Sequence, residues 1–443
     1  MTGSATVTAA VADAHRREWA FVLAATVRVT RDLDLAEECV QDAYAKALDT
    51  WGARGVPANP GAWLTTVARR RALDVLRRDS LWRRAVPLLI EEAGAAGDHI
   101  GDDRDEIPDD RLRLICTCCH PALSPEAQVA LTLRLVGGLS TPEVARAFLV
   151  SESTMAARIT RAKKKISGAG IPYRIPDVHE LPSRISAVLE VIHLVFTAGH
   201  TAAAGEQLQR SDLCERAIDL ARMLHSLQPK NGEATGLLAL LLLTDSRRET
   251  RLDADGRLVL LADQDRTRWD RAEITEGLAL VPVALRAKSN TKAKSKTKAK
   301  SKTKTKSKTK SKTNGDGYLP GRFALQAAIA AVHAQAASSP QTNWEEIIGL
   351  YDVLLQVWPT PVVALNRAAA IGLGRGPAAG LAAVDDLTVE PQLASYPYLA
   401  AARADFLRQL GCADEARTAY TEAVMLTDND VERAFLAGRL AAL

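Results

Sequence analysis

Aromatic residues make up only 5% of this 443-residue chain. Few stretches alternate Val, Ile or Thr with polar residues, so half-buried strands have little to be built from. Ala and Leu dominate an apolar fraction of 47%, a mix that favours helix. Cysteine is scarce as well. The six present are too few and too clustered for a disulfide framework in a chain this long. Between Met1 and Ala12 no charged segment precedes an apolar core, which argues against a secretory leader. The longest Leu/Ala run, Gly236 to Leu243, falls far short of a membrane span. These absences point to an all-α, reducing, cytoplasmic protein without membrane attachment, long enough for about two to four domains.

What is present is segregated charge. The net charge is +4, yet residues 288–312 hold twelve Lys and no acid, so the rest of the chain stands at −8. From Glu91 to Asp110 there are nine acids against Arg104 alone. Such stretches bury little apolar surface and read as solvated segments. They divide the chain into a helical region at 10–85, an acidic linker at 86–110, a compact helical unit at 111–168, a helical extension at 180–286, a Lys-rich disordered insert at 287–317 and a second helical extension at 318–443.

In the first region Trp19, Val22, Leu23 and Val27 make one apolar stripe. Leu35, Cys39, Ala43, Ala47 and Leu48 make a second, entered through Asp34 and Glu37 in capping-box spacing. Pro57, Pro60 and Gly61 break the chain before a long helix from Ala62 to about Arg84, with Leu64, Val67, Ala68, Val75 and Leu76 inward. Arg69, Arg70, Arg71, Arg77, Arg78, Arg83 and Arg84 face only Asp74 and Asp79 there, and Trp63 sits at the start. An aromatic beside an Arg cluster suits unstacked single-stranded bases, although a solvated basic face would look the same.

Residues 140–166 read as a helix-turn-helix. Ser140 caps, Pro142 fits the first turn and Glu143 closes a capping box. Val144, Ala145 and Phe148 point inward, with Ala145 small enough for close helix approach. A turn at Leu149 and Val150 leads to Ser151, which caps a second helix whose buried stripe is Met155, Ile159 and Ala162. Its other face carries Glu152, Ser153, Ala156, Arg158 and Arg161, then Lys163, Lys164 and Lys165. Short polar side chains at a helix start reach base edges in a major groove, and Arg and Lys farther along neutralise phosphates.

Together these segments resemble the extracytoplasmic-function (ECF) class of sigma-70 factors. Residues 34–48 look like the polymerase-binding helix of region 2, residues 61–78 like the segment that opens and reads the −10 element, and residues 123–166 like region 4. The resemblance implies an initiation factor with core RNA polymerase and promoter DNA as partners. It assigns Asp34, Glu37, Glu38, Gln41, Asp42 and Lys46 to polymerase, and Trp63, Arg69, Arg70, Arg71, Arg77 and Arg78 to the −10 strand. Ser151, Glu152, Ser153, Thr154, Ala156, Ala157, Arg158 and Arg161 fall to the −35 element. The acidic linker would run through the RNA exit path as a charge mimic of RNA. Residues 111–121, the block at 169–176 and the tail resemble the subfamily with a long C-terminal extension. Leu149, where such turns often use Gly, and the Lys-rich insert depart from the pattern.

The C-terminal half contains a repeat. Ala217, Ala221, Leu224 and Pro229 share their offsets with Ile347, Tyr351, Leu354 and Pro359, and with Ala416, Tyr420, Ala423 and Asp428. Small, large, small and terminator at those offsets match the second helix of a tetratricopeptide repeat, with Gly411 in a turn and a degenerate copy near Leu381. Stacked helix pairs of this kind offer surfaces for a protein partner. Cys116, Cys118, Cys119 and His120 are the sharpest metal candidates, but no second Cys/His pair lies nearby in sequence and small buried packing groups are the simpler expectation. His193 and His200 lie near aliphatic faces and read as structural. No metal, cofactor or catalytic centre is expected. A helix-turn-helix regulator with a repeat-type sensor is the competing reading.

Overall fold

The computed structural model describes residues 2–85, 110–148, 150–174, 176, 179–202, 204–287 and 319–443. The acidic linker (save Asp110), Leu149 of the turn and the Lys-rich insert (save Ala287) fall outside them. Of the described residues 76% are helical and none forms a strand, so the all-α expectation holds. It divides into two compact units, Met1–Leu194 and Val195–Leu443.

In the first unit α1 (Thr2–Thr30), α2 (Leu33–Arg54) and α3 (Pro60–Ala85) pack on one another. Asp32 caps α2, accepting from the backbone N–H of Asp34 and of Leu35 at 2.8 and 3.0 Å. The cap therefore lies two residues before the Asp34–Glu37 box expected from spacing, because Glu37 is engaged elsewhere. Leu33, Ala36, Val40, Ala43, Ala47 and Trp51 bury one face of α2. Leu48, expected inward, is 46% exposed, since it sits a full helical step past the Ala47 contact line. On α3 Leu64, Ala68 and Ala72 are buried, while Val67, Val75 and Leu76 are half-buried.

The unit continues with α4 (Asp110–Cys118), α5 (Pro125–Leu131), α6 (Thr141–Ala147) and α7 (Glu152–Gly168). At its end α5 widens into a π-turn over Thr132–Val136, closed by Gly137 N–H to Thr132 O at 2.8 Å. Next comes α8 (Leu181–His200), long and apolar enough to cross a membrane by composition, with 44% of that stretch buried in the protein. Arg184, Glu190, His193 and His200 interrupt its apolar pattern in sequence.

The second unit is built from α9 (Ser211–Leu227), α10 (Gly232–Asp245), α11 (Arg271–Arg286), α12 (Arg322–Gln335), α13 (Trp344–Val357), α14 (Pro361–Arg375), α15 (Pro377–Asp385), α16 (Pro397–Gln409), α17 (Ala413–Leu426) and α18 (Asp430–Ala441). Each packs on the next in chain order, and α10 also packs on α12. The first three residues of each equal-offset set lie on α9, α13 and α17, and Pro229, Pro359 and Asp428 each follow two residues past the helix end. Ala217, Ala221, Leu224, Ile347, Leu354, Ala416, Tyr420 and Ala423 are buried there, and Tyr351 is half-buried. Gly411, at φ +78° between α16 and α17, takes the left-handed turn that favours glycine.

Helix α10 is apolar on nearly every side because it has neighbours on three sides, α9, α11 and α12. Gly236 lets α12 approach it: a Cβ there would stand 2.6 Å from Ala324 N. Gly236→Ala is expected to push the two helices apart and cost about 1–3 kcal/mol. Urea denaturation checks this, and an unchanged midpoint would show that the contact yields freely.

Candidate nucleic-acid interface

Three solvent-facing surfaces of the first unit contain the residues singled out from sequence. The first is α2. With one face buried, Asp34, Glu38, Gln41, Asp42 and Lys46 are left exposed. Asp34, Glu38 and Asp42 stand at i, i+4 and i+8, where like charges each cost about 0.2–0.5 kcal/mol in a helix. A fold selected for helix stability alone has no use for that repetition. Arg71 of α3 offsets part of it through Asp42 at 2.8 Å, which commits Arg71 to α2.

Glu37 stands apart from the other five. Its side chain is 8% exposed and forms ion pairs with Arg134 of the π-turn and with Lys163 of α7, the latter at 2.8 Å. Lys163 also reaches Asp34 at 2.7 Å. Lys163 is thus buried against α2 and leaves the open basic face of α7 where the pattern had put it. The same region holds Trp19, whose indole N–H donates to Leu135 O at 3.0 Å while the Arg134 guanidinium lies 5.8 Å from its ring. Tyr173 donates within reach of Ala24 O and Asp110 O. Arg134 escaped the sequence reading, yet a signal was there. A lone cation inside the apolar run from Val129 to Val136 demands a buried acid.

The second surface is α3. Asn59 caps it through the Ala62 N–H at 3.0 Å, with Pro60 at its first turn. Arg69, Arg70, Arg77 and Arg78 are exposed. Trp63 is half-buried and packs edge-on against the buried Trp51 with ring centres 5.6 Å apart. That contact holds one edge of the ring and leaves the rest of it at the surface.

The third surface is α6 and α7. The expected capping box is present: Ser140 N–H donates to Glu143 Oε2 at 2.6 Å and Glu143 N–H to Ser140 Oγ at 3.4 Å. Ser151 caps α7 through the Thr154 N–H at 3.2 Å, and its hydroxyl also meets Thr154 Oγ1 at 2.8 Å. Ser151 therefore spends its side chain on the helix start. Met155, Ile159, Ala162 and Ile166 are buried. Glu152, Ser153, Thr154, Ala156, Ala157 and Arg161 are exposed. Arg158 lies over the Phe148 ring at 5.7 Å, an arrangement that holds an arginine extended before any ligand arrives.

Cys116, Cys118 and Cys119 are buried. Burial pushes the Cys116 thiol up to about 11 and Cys119 up to about 12, and it raises Cys118 well above the ordinary thiol value. They fill space as protonated thiols. His120 Nδ1 accepts from the Ala122 N–H. Among the described residues no three His, Cys, Asp or Glu groups gather as a metal site.

The chain matches the models of sigma-70 region 2 over residues 14–81, sigma-70 region 4 over 114–166, and a family of unknown function, DUF6596, over 184–285. It is 42% identical over 417 residues to an uncharacterized protein of Rhizobium meliloti, an alignment spanning 94% of this chain and 91% of that protein. It is 30% identical over 163 residues to the ECF RNA polymerase sigma factor SigK of Mycobacterium tuberculosis, spanning 36% of this chain and 84% of the relative. A probable ECF RNA polymerase sigma factor SigI from the same species is 27% identical over 177 residues, covering 39% of this chain and 60% of that protein. No solved structure matches.

The Glu37 cluster makes an asymmetric prediction. Glu37→Gln leaves two largely buried cations without their shared carboxylate and is expected to cost about 3–5 kcal/mol. Asp34→Asn removes a carboxylate whose side chain is 74% exposed and should cost no more than about 1 kcal/mol. Thermal unfolding of the two variants distinguishes them; equal losses would mean that the Glu37 pairing contributes no more than a surface bridge.

Proposed function

The chain belongs to the extracytoplasmic-function family of sigma-70 factors, and on that ground we propose that it binds core RNA polymerase and carries it to promoter DNA. The exposed acidic side of α2, with Asp34, Glu38, Gln41, Asp42 and Lys46, is the polymerase surface. Trp63 with Arg69, Arg70, Arg77 and Arg78 holds the opened −10 strand, where Arg charge meets phosphate and an aromatic edge meets an unstacked base. The N-terminal face of α7 reads the −35 element: Glu152, Ser153, Thr154, Ala156 and Ala157 meet base edges, Ser151 presents the helix start, and Arg158 and Arg161 supply cations.

The observation that supports this reading best is the repeated acid stripe on α2 in the same unit as two basic surfaces. A regulator that binds duplex DNA by itself needs neither the acid stripe nor the exposed arginines of α3. Glu37 and Arg71 belong to the same surfaces in sequence but are paired internally. For Glu37 to meet polymerase, Lys163 and Arg134 must first let it go, so engagement of the enzyme and release of α7 from α2 are coupled steps.

The helical extension, which we read as tetratricopeptide-like pairs, acts on this activity through protein contacts. Run-off transcription with core polymerase tests the whole reading. Full-length protein should support initiation at a cognate promoter, and a chain ending before residue 180 should do so to a different extent. Equal transcription by both removes the regulatory role, and none by either removes the sigma role. In the same assay Arg158→Ala should weaken −35 discrimination by about 1–3 kcal/mol. A uniform loss on every sequence would make Arg158 a phosphate contact instead.

A further inference from the structure

In the second unit Arg251 and Arg266 are buried, and Arg247 and Arg248 are half-buried. Arg247, Arg248 and Arg251 follow the end of α10 within six residues. Arg248 is satisfied by Asp245 and Glu215. Arg251 donates to His200 O and, at 3.0 Å, to Thr201 Oγ1, with Glu432 near enough to favour its charge. Arg266 donates to the carbonyls of His333 and Ala336 at 2.8 and 2.9 Å. Arg247 differs from all three. No hydrogen bond or ion pair from its side chain is found among the described residues. Burial, reinforced by Arg251 and Arg266, pulls its pKa down to about 10, so it still holds its charge at neutral pH.

Arg247 lines two neighbouring cavities, of about 310 and 630 Å³. Arg247, Leu261 and Asn366 are common to both. The smaller cavity has an apolar and aromatic wall that includes Leu240, Trp269 and Ile329. Gln326 and His333 also line it, and each has a side-chain nitrogen, Nε2 and Nδ1, buried without a partner. His333 is neutral, since burial and then Arg247 and Arg266 hold its pKa down to about 4. A buried polar atom normally has a partner, and here an unpartnered cation, an amide and an imidazole converge on one space. That space lies within the range of small-molecule sites.

The far end of the unit also ties back to its start. Asn429, fully buried, donates from Nδ2 to Ala202 O and Gln207 O at 3.1 and 3.0 Å. The N–H of Asp430 donates to Gly205 O at 3.0 Å. With the last helix cap fastened to the first connection, the helical array is closed on itself, which favours a compact ligand over a threaded chain segment.

We propose that this cavity binds a small organic anion, a carboxylate or phosphate ester on an apolar or aromatic body, with Arg247 receiving the anionic head and Gln326 and His333 completing its hydrogen bonds. The site belongs to the second unit alone, and the proposal stands or falls independently of the polymerase and promoter surfaces.

The test is isothermal titration of the full-length chain with benzoate, phenyl phosphate and the uncharged isostere benzamide, in wild type and in Arg247→Met. At least one anion should bind about tenfold or more tightly than benzamide, and Arg247→Met should remove that preference. The benzoate and phenyl phosphate arms decide between carboxylate and phosphate. Unliganded Arg247→Met should melt no lower than wild type, because the lost cation had no partner to leave behind. Arg247→Lys, which keeps the charge, should retain part of the preference and covers the case in which the Met variant misfolds. Equal binding of benzamide, no binding of either anion, or a lower melting temperature in unliganded Arg247→Met overturns the proposal. A short alanine peptide with a free carboxylate that binds more tightly than both anions overturns the assignment to a small molecule.

Discussion

A single buried carboxylate, Glu37, joins the two ends of the first unit. Arg134 and Lys163 come to it from positions 97 and 126 residues away in the chain. Removing three charges from water is costly, and only close pairing restores what is lost. The structure meets that condition by bringing a π-turn and the middle of α7 onto α2. Much else follows from it. Asp32 rather than Asp34 caps α2, Trp19 finds a carbonyl on the π-turn, and Lys163 leaves the face that the rest of α7 presents to solvent. A buried ion pair of this kind is better suited to defining one arrangement than to adding stability, since apolar residues in its place would stabilise as well.

The exposed surfaces follow a different logic. The like charges along α2 and the arginines of α3 are small local costs kept at the surface, where solvent screens them. Arg158 over Phe148 and Ser151 in its cap are each held by contacts within the protein itself. Preorganisation of this sort lowers the entropy lost on binding. It also separates roles within a motif that looks uniform in sequence: Ser151 builds the helix start, whereas Ser153 and Arg161 stay exposed, each with one local hydrogen bond, to Ser151 Oγ and Ala157 O.

The second unit shows the same physics with the balance left open. Arg248 meets two carboxylates and Arg266 meets carbonyls, but Arg247 meets nothing of opposite charge. A fold that tolerates such a residue must gain elsewhere or await a partner. The apolar packing of α9, α13 and α17, visible as equal offsets along the chain, gives the scaffold its rigidity, while the cavity chemistry comes from side chains outside that pattern.

Local physics was legible from the residues alone. The capping box at Ser140 and Glu143, the Ser151 cap, the Met155–Ile159–Ala162 stripe and the helical character of both halves depend on neighbours within about one or two turns, and periodicity reports those directly. The resemblance of residues 34–48, 61–78 and 123–166 to a sigma factor was equally available, since it is a matter of order and spacing. What only the tertiary structure decided was which charge meets which. Glu37 with Lys163, Asp42 with Arg71, the exposure of Leu48 and the isolation of Arg247 depend on where distant segments lie. Coulombic pairing and burial act through space, and no period along the chain records them.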